Sequence, residues 1–98
     1  LLALCLPLLL EGQIGDSYAD ALRYCSLGRY DLAQTRLERL LLTDRQCIEC
    51  YELLAQIANT TENDSLAAQW YHKALAVEPD NPLLMLKVGL AEQRLGQL

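Results

Sequence analysis

One stretch of the chain, from Ile48 to Asn81, constrains the fold more than any other feature of the sequence. It combines aromatic, leucine, small and proline residues at helical spacing, namely Tyr51, Leu54, Ala55, Ala58, Ala67, Tyr71, Ala74 and Pro79. The same pattern recurs 34 residues earlier, where Ala21 and Ala33 stand in the places of Ala55 and Ala67. Because this register holds without an insertion, we predict repeats at 14–47 and 48–81 and a half repeat at 82–98.

This pattern resembles the tetratricopeptide repeat, a helix–turn–helix unit of about 34 residues. The resemblance implies an all-α fold, an antiparallel helix-pair solenoid of about two and a half repeats that covers about Asp16 to Leu98. It also implies that Leu40 and Ala74 lie where one repeat meets the next. The chain departs from the family at Arg45, where Pro is favoured, and in the turn 59–63, which lacks the usual Gly.

The helix limits follow from local signals. Gly28 ends the first helix, since glycine readily adopts the left-handed conformation found after helices. In the second repeat, apolar periodicity predicts helices at about 48–59 and 64–77. Pro82 opens the last helix, because proline suits the first helical position.

The small residues explain why two helices can pair closely. Antiparallel helices approach each other only where the crossing point carries small side chains. Ala55 and Ala67 are predicted to have that role in the second repeat, and Ala21 and Ala33 in the first.

The first ten residues, LLALCLPLLL, are almost entirely apolar. Their length suits the core of a secretory signal peptide and is too short to span a membrane. The alternative is an apolar segment that covers the first repeat. We therefore separate residues 1–13, an apolar segment and linker, from a repeat domain at 14–98.

Charge and composition exclude several function classes. The net charge is -5, whereas a protein that binds nucleic acid needs a basic face. The sequence has no glycine-rich phosphate loop and offers one histidine, His72, so it presents no catalytic constellation. We expect no enzyme activity, no cofactor and no small-molecule substrate.

The pair Cys47 and Cys50 has a spacing used in redox and zinc sites. A redox pair is expected next to a βαβ unit, and a zinc site needs two more ligands, neither of which the sequence supplies. We therefore favour small apolar cysteines with an incidental disulfide, and keep a thiol-redox or metal-binding protein as an alternative.

Two tripeptides that begin at Asn59 and Asn63 match the N-glycosylation acceptor pattern. Helix capping explains these residues as well, because such turns favour Asn, Ser and Thr. The sequence does not decide whether either asparagine is glycosylated.

The resemblance implies a concave groove lined by the first helix of each repeat. The family's groove positions correspond here to Tyr18, Leu22, Cys25, Glu49, Glu52, Gln56, Asn59, Leu86, Leu90, Gln93 and Arg94. A known subgroup holds a carboxylate of chaperones with a Lys and Asn pair, but this chain has Tyr18 and Leu22 at those positions. We expect an apolar or amphipathic helical partner with some basic side chains that pair with Glu49 and Glu52.

A second candidate surface is the face of the last helix. Because no further helix follows in the sequence, we expect Leu84, Val88 and Leu95 to be exposed there. This face, within residues 83–95, would be the seat of further repeats or a site of self-association.

The function expected from the sequence is a non-catalytic protein–protein interaction module or scaffold that binds a peptide or helix in the groove. One alternative is an exported adaptor or chaperone of a periplasm or secretory lumen, if residues 1–10 are a signal-peptide core. Without such a signal the protein would be cytoplasmic.

Overall fold

The computed structural model of this protein describes residues 17–96. These residues contain no β-strand and form five α-helices. We number the helices α1 (17–26), α2 (Tyr30–Thr43), α3 (Ile48–Thr60), α4 (Asp64–Val77) and α5 (Pro82–Gly96). The prediction of an all-α protein is confirmed. The expectations for the apolar segment 1–10 and its linker lie outside the described residues.

The helix limits predicted from local signals agree with the structure. α3 and α4 run from Ile48 to Thr60 and from Asp64 to Val77, within one residue of the prediction. α5 begins at Pro82. The described residues divide after Thr43 into two compact units, of which the first contains α1 and α2 and the second contains α3, α4 and α5.

The helix limits recur at an offset of 34 residues. α2 shifted by this offset gives the limits of α4, and the ends of α1 and α3 and the starts of α3 and α5 are related in the same way. Backbone hydrogen bonds follow the same offset: Ala33 donates to the carbonyl of Arg29 at 3.1 Å, and Ala67 to that of Asn63 at 3.0 Å. The two helix pairs therefore have the same helix limits and equivalent backbone hydrogen bonds.

The turns inside the two helix pairs show this equivalence most clearly. Gly28 and Glu62 stand 34 residues apart, and both have a positive φ, of 74° and 63°. Each donates its N–H to the carbonyl three residues earlier, at 3.1 Å in both turns. The next N–H bonds the carbonyl five residues back, which completes the helix-ending motif that normally uses glycine. The second turn thus keeps the conformation although its sequence lacks the glycine.

Glu62→Gly should therefore stabilise the protein. A side chain in the left-handed region is strained, and glycine relieves this at the cost of a more flexible unfolded chain, so we expect a net gain of about 0.5–1 kcal/mol. Gln69→Gly, at an exposed position within α4, should lower stability by about 1 kcal/mol. Thermal unfolding by circular dichroism measures both changes, and a loss of stability in Glu62→Gly would contradict this reading of the turn.

The core of the second unit lies where α4 packs against α3 and α5. Ala55, Ala67 and Ala74 have no exposed surface, and Leu54 is only 1% exposed. A cluster of α3, α4 and α5 side chains, Ala55, Ala68, Tyr71, Val88 and Ala91, continues this core. Small residues therefore occupy the most buried positions of α3 and α4, as the sequence predicted.

The first unit repeats this arrangement with its own residues. Ala21, Ala33 and Leu37 have no exposed surface. On the surface, Arg36 joins the two helices through the Asp20 carboxylate, 3.4 Å away. Such an exposed pair contributes little to stability, so apolar packing is the main source of cohesion between α1 and α2.

The predicted exposure of one face of α5 was wrong. Leu84 and Val88 are buried, and Leu95 packs against the core cluster. The 34-residue register explains this, because Leu84 and Val88 correspond to Cys50 and Leu54, which are the inward residues of α3. The apolar side chains that α5 does expose lie elsewhere on the helix and are Leu83, Met85, Leu86 and Leu90.

No helix within the described residues combines the length and the apolar character needed to cross a membrane.

Candidate functional site

A cleft of about 140 Å³ opens between α3 and α5 in the second unit. We call it the α3–α5 cleft; its lining residues are Asn59, Tyr71, Lys87, Leu90, Ala91 and Arg94. Three of these, Asn59, Leu90 and Arg94, were predicted as groove residues from the sequence. The structure therefore brings part of the predicted set together around one cavity.

Lys87, on α5, forms an ion pair with α3 beside the cleft. Its ammonium group contacts the carboxylate of Glu52, and both side chains are about three-quarters buried, at 26% exposed each. Glu52, which the sequence-based expectation paired with a basic side chain of a partner, therefore already contacts a cation within the protein. Glu49 remains exposed.

Asn59 holds the most unusual polar group of the cleft. Its Oδ1 atom is buried and has no hydrogen-bond partner. Leaving a buried polar atom unpaired costs about 1–3 kcal/mol. The two ends of an amide are exchanged by a half-turn of the side chain, so Asn59 can offer either a donor or an acceptor at this place.

Asn59→Leu is expected to leave stability unchanged or raise it by about 1 kcal/mol, because it removes an unpaired buried polar group at little cost in volume. An ordinary structural asparagine would behave in the opposite way, since its loss would break hydrogen bonds. Urea unfolding of the variant and the parent protein measures the difference. A loss of 1 kcal/mol or more would show that Asn59 has a structural role.

Tyr71 forms the floor of the cleft and supplies a hydroxyl group. Burial raises the pKa of Tyr71 above its ordinary value, the charge of Lys87 lowers it, Glu52 raises it and Arg94 lowers it. The phenol is therefore neutral at neutral pH and can donate a hydrogen bond.

The remaining predicted groove residues are distributed over α1, α3 and α5. On α3, Glu49 and Gln56 are exposed, and on α5 Leu86 and Gln93 are exposed as well. Leu86 and Leu90, at 58% and 51% exposed, stand four residues apart on one side of α5. Together they form an apolar patch beside the cleft.

The three predicted residues of α1 belong to the first unit. Leu22 is 46% exposed, whereas Tyr18 and Cys25 are half-buried. Cys25 is a free cysteine, and partial burial raises the pKa of its thiol. Cys25 is therefore mostly a protonated thiol at neutral pH.

Cys47 and Cys50 form a disulfide at the start of α3, with their Cα atoms 5.3 Å apart. Cys47 is the residue that caps α3, and its sulfur accepts the backbone N–H of Cys50 at 3.2 Å. Cys50 has no exposed surface, while Cys47 is half-buried. A reagent from solvent would therefore meet the sulfur of Cys47 first.

This disulfide predicts a specific mass. Trypsin cuts after Arg45 and Lys73, so the peptide 46–73 contains both cysteines and no internal cleavage site. From protein digested without reductant, this peptide should be lighter than its reduced form by two hydrogen atoms. If the peptide from protein purified in air has the fully reduced mass, or is linked to another cysteine-containing peptide, the pairing is wrong.

Other residues singled out from the sequence have plain structural roles. His72 is exposed, and its Nε2 atom lies 2.7 Å from the carboxylate of Glu92 on α5. Asn63 caps α4, since its Oδ1 accepts the N–H of Leu66 at 3.2 Å. Within residues 17–96, no group of three or more His, Cys, Asp or Glu residues could hold a metal ion.

Sequence reasoning missed Lys87 and assigned Tyr71 only to the core. A signal for Lys87 was present, because it stands 35 residues after Glu52, one repeat plus one residue. Residues at this spacing lie near each other when equivalent helices are neighbours.

No known protein-family model matches this chain, and no curated protein matches it.

Proposed function

We propose that this chain is a non-catalytic protein-interaction module of the tetratricopeptide type, which binds an amphipathic helix or peptide along α3 and α5. The observation that carries the proposal is the α3–α5 cleft, with the exposed patch of Leu86 and Leu90 beside it. A mostly apolar cleft that carries a few polar groups is a common form of recognition site.

The internal periodicity supports the tetratricopeptide part of the proposal. The matching helix limits and the matching turns at Gly28 and Glu62 are what stacked copies of one helix pair require. The buried alanines at 21, 33, 55 and 67 are the small residues on which the resemblance rests. In the proposed repeat, α1, α3 and α5 are equivalent helices.

The exposed leucines support the binding part of the proposal. Helix-binding grooves take apolar anchors spaced three or four residues apart on the partner. Leu86 and Leu90 would contact such anchors, because both lie on one side of α5 and each exposes about half of its surface. Their exposure costs little in isolation, yet contact with a partner would remove both from water.

Selection from a phage-displayed library of helical peptides on the immobilised full-length chain tests the proposal. We expect enriched peptides whose affinity falls about tenfold or more in the double variant Leu86→Ser/Leu90→Ser. The matched control is Leu27→Ser/Leu42→Ser, which changes two leucines that are 67% and 78% exposed in the first unit. Binding that is lost equally in both variants, or an absence of enriched peptides, would contradict the proposal.

A thiol-redox protein is a second candidate, and the Cys47–Cys50 disulfide is the observation that favours it. The half-buried Cys47 at a helix start and the buried Cys50 behind it suit exchange at one sulfur. Catalysed reduction of insulin by the protein in the presence of dithiothreitol would support this candidate. A rate equal to that of the Cys47→Ser variant would exclude it.

The exported adaptor remains an alternative form of the main proposal. A disulfide is more common in oxidising compartments such as a periplasm or secretory lumen than in the cytosol. The Cys47–Cys50 pair therefore favours this alternative. Fusion of residues 1–16 to a reporter enzyme that is active only after export tests it, with the same reporter lacking these residues as the control.

A further inference from the structure

We propose that the α3–α5 cleft binds a carboxylate side chain of the partner, so that the preferred partner is an acidic amphipathic helix. This inference rests on the proposed function and reverses the charge that the sequence alone suggested. The sequence placed Glu49 and Glu52 in the groove and implied a basic partner. In the structure, Glu52 is paired with Lys87, so the charge of the groove differs from that expectation.

The charged groups at the cleft are not all paired within the described part of the protein. The carboxylate of Glu52 is already neutralised by Lys87. Arg94 also lines the cleft, and within the described residues it takes part in no ion pair. Lys87, Arg94 and Glu52 together leave one net positive charge at the cleft, in a chain whose net charge is -5. The cleft therefore has a net positive charge, although the net charge of the whole chain is negative.

The cleft is lined by groups that can donate hydrogen bonds. A carboxylate accepts about four hydrogen bonds through its two oxygens. The cleft offers the guanidinium of Arg94 and the neutral phenol of Tyr71, and Asn59 lines it as well, although the Oδ1 atom of Asn59 is itself buried. An acid would accept hydrogen bonds from Arg94 and Tyr71. A lysine or arginine of the partner would instead meet Arg94 as a like charge.

The size of the cleft and its apolar neighbours limit which side chain it can hold. A volume of about 140 Å³ is well above the space that a single water molecule needs, and it leaves room for one aspartate or glutamate side chain. Leu90 belongs to the wall of the cleft, and Leu86 stands one helical turn away on the same helix. The partner should therefore carry an apolar residue three or four positions from its acidic residue.

The test begins with the peptides selected on the full-length chain. One enriched peptide is synthesised in three forms, with Glu, Gln or Lys at its acidic position, and the affinities are measured by fluorescence anisotropy. We expect Gln to weaken binding about tenfold and Lys more strongly, as a charge-assisted hydrogen bond is lost. Arg94→Gln should weaken the Glu peptide and remove most of the difference between Glu and Gln. Arg94→Lys should retain part of it.

Two further variants test whether the charge at the cleft determines the preference for an acidic peptide. Glu52→Gln frees the charge of Lys87 and should strengthen binding of the Glu peptide, whereas a groove that recruits basic partners would lose affinity. Arg39→Gln removes the same charge as Arg94→Gln from an exposed position on α2, and should leave the ratio between the Glu and Gln peptides unchanged. Circular dichroism of each variant shows whether its helices are intact.

The outcomes separate the two proposals. The carboxylate site is wrong if peptides bind through Leu86 and Leu90 but are not enriched in acidic residues. It is also wrong if Arg94→Gln leaves the ratio between the affinities of the Glu and Gln peptides unchanged. In both cases the proposed interaction module is not contradicted. If no peptide binds, the proposed function fails, and the carboxylate site fails with it.

Discussion

Leu54→Ala is expected to lower the free energy of unfolding of the second unit by about 2–5 kcal/mol. Leu54 is 1% exposed and is one of the largest side chains that are fully buried. Truncation removes apolar contacts and leaves a cavity between helices that cannot collapse completely. Since small domains are stable by only about 5–15 kcal/mol in total, the variant should melt at a much lower temperature or be partly unfolded at 25 °C.

Leu86→Ala is the matched control for this prediction. It makes the same chemical change on α5, at a side chain that is 58% exposed, and should alter stability by no more than about 0.5 kcal/mol. Urea unfolding followed by circular dichroism measures both variants. Equal losses in the two would mean that Leu54 is not a core residue and that the packing of α3 is wrong.

Ala67→Leu is expected to destabilise the protein by about 1–3 kcal/mol through overpacking. Ala67 has no exposed surface on α4, and Ala55 has none on the neighbouring α3. A larger side chain at this point must force the helices apart or adopt a strained rotamer. This change also tests the tetratricopeptide proposal, since the close approach of paired helices depends on small residues at such positions.

Ala76→Leu separates overpacking from the chemical nature of the substitution. Ala76 lies on the same helix but is exposed, and leucine is nearly as good a helix former as alanine. Its melting temperature should therefore stay close to that of the parent protein. If Ala67→Leu leaves the melting temperature unchanged, the close packing of α3 and α4 does not depend on a small residue at this position.

The helices could be predicted from the sequence because their signals are local. Gly28 and Pro82 mark an end and a start, and apolar spacing marks the faces. Even the turn at Glu62, which lacks its glycine, could be placed from its neighbours. Its left-handed conformation could not, because surrounding structure imposes it on a residue that does not favour it.

The cleft could be predicted only in part. The resemblance placed Asn59, Leu90 and Arg94 on groove positions, and all three line the cavity. The pairing of Lys87 with Glu52 depends on how two helices lie side by side, and the sequence gives no such distance. The burial of Leu84 and Val88 was not predicted either. Their exposure was expected because no further helix follows in the sequence, whereas their equivalence with the buried Cys50 and Leu54 predicts that they face inward.

The most direct test of the account is an NMR titration that maps a selected peptide on the ¹⁵N-labelled full-length chain. We predict that the largest amide shifts lie around the α3–α5 cleft and its patch, at Asn59, Leu86, Leu90 and Arg94, and that Leu86→Ser/Leu90→Ser removes them. Shifts confined to α2 around Leu42, or spread evenly over the chain, would contradict a binding surface on α3 and α5.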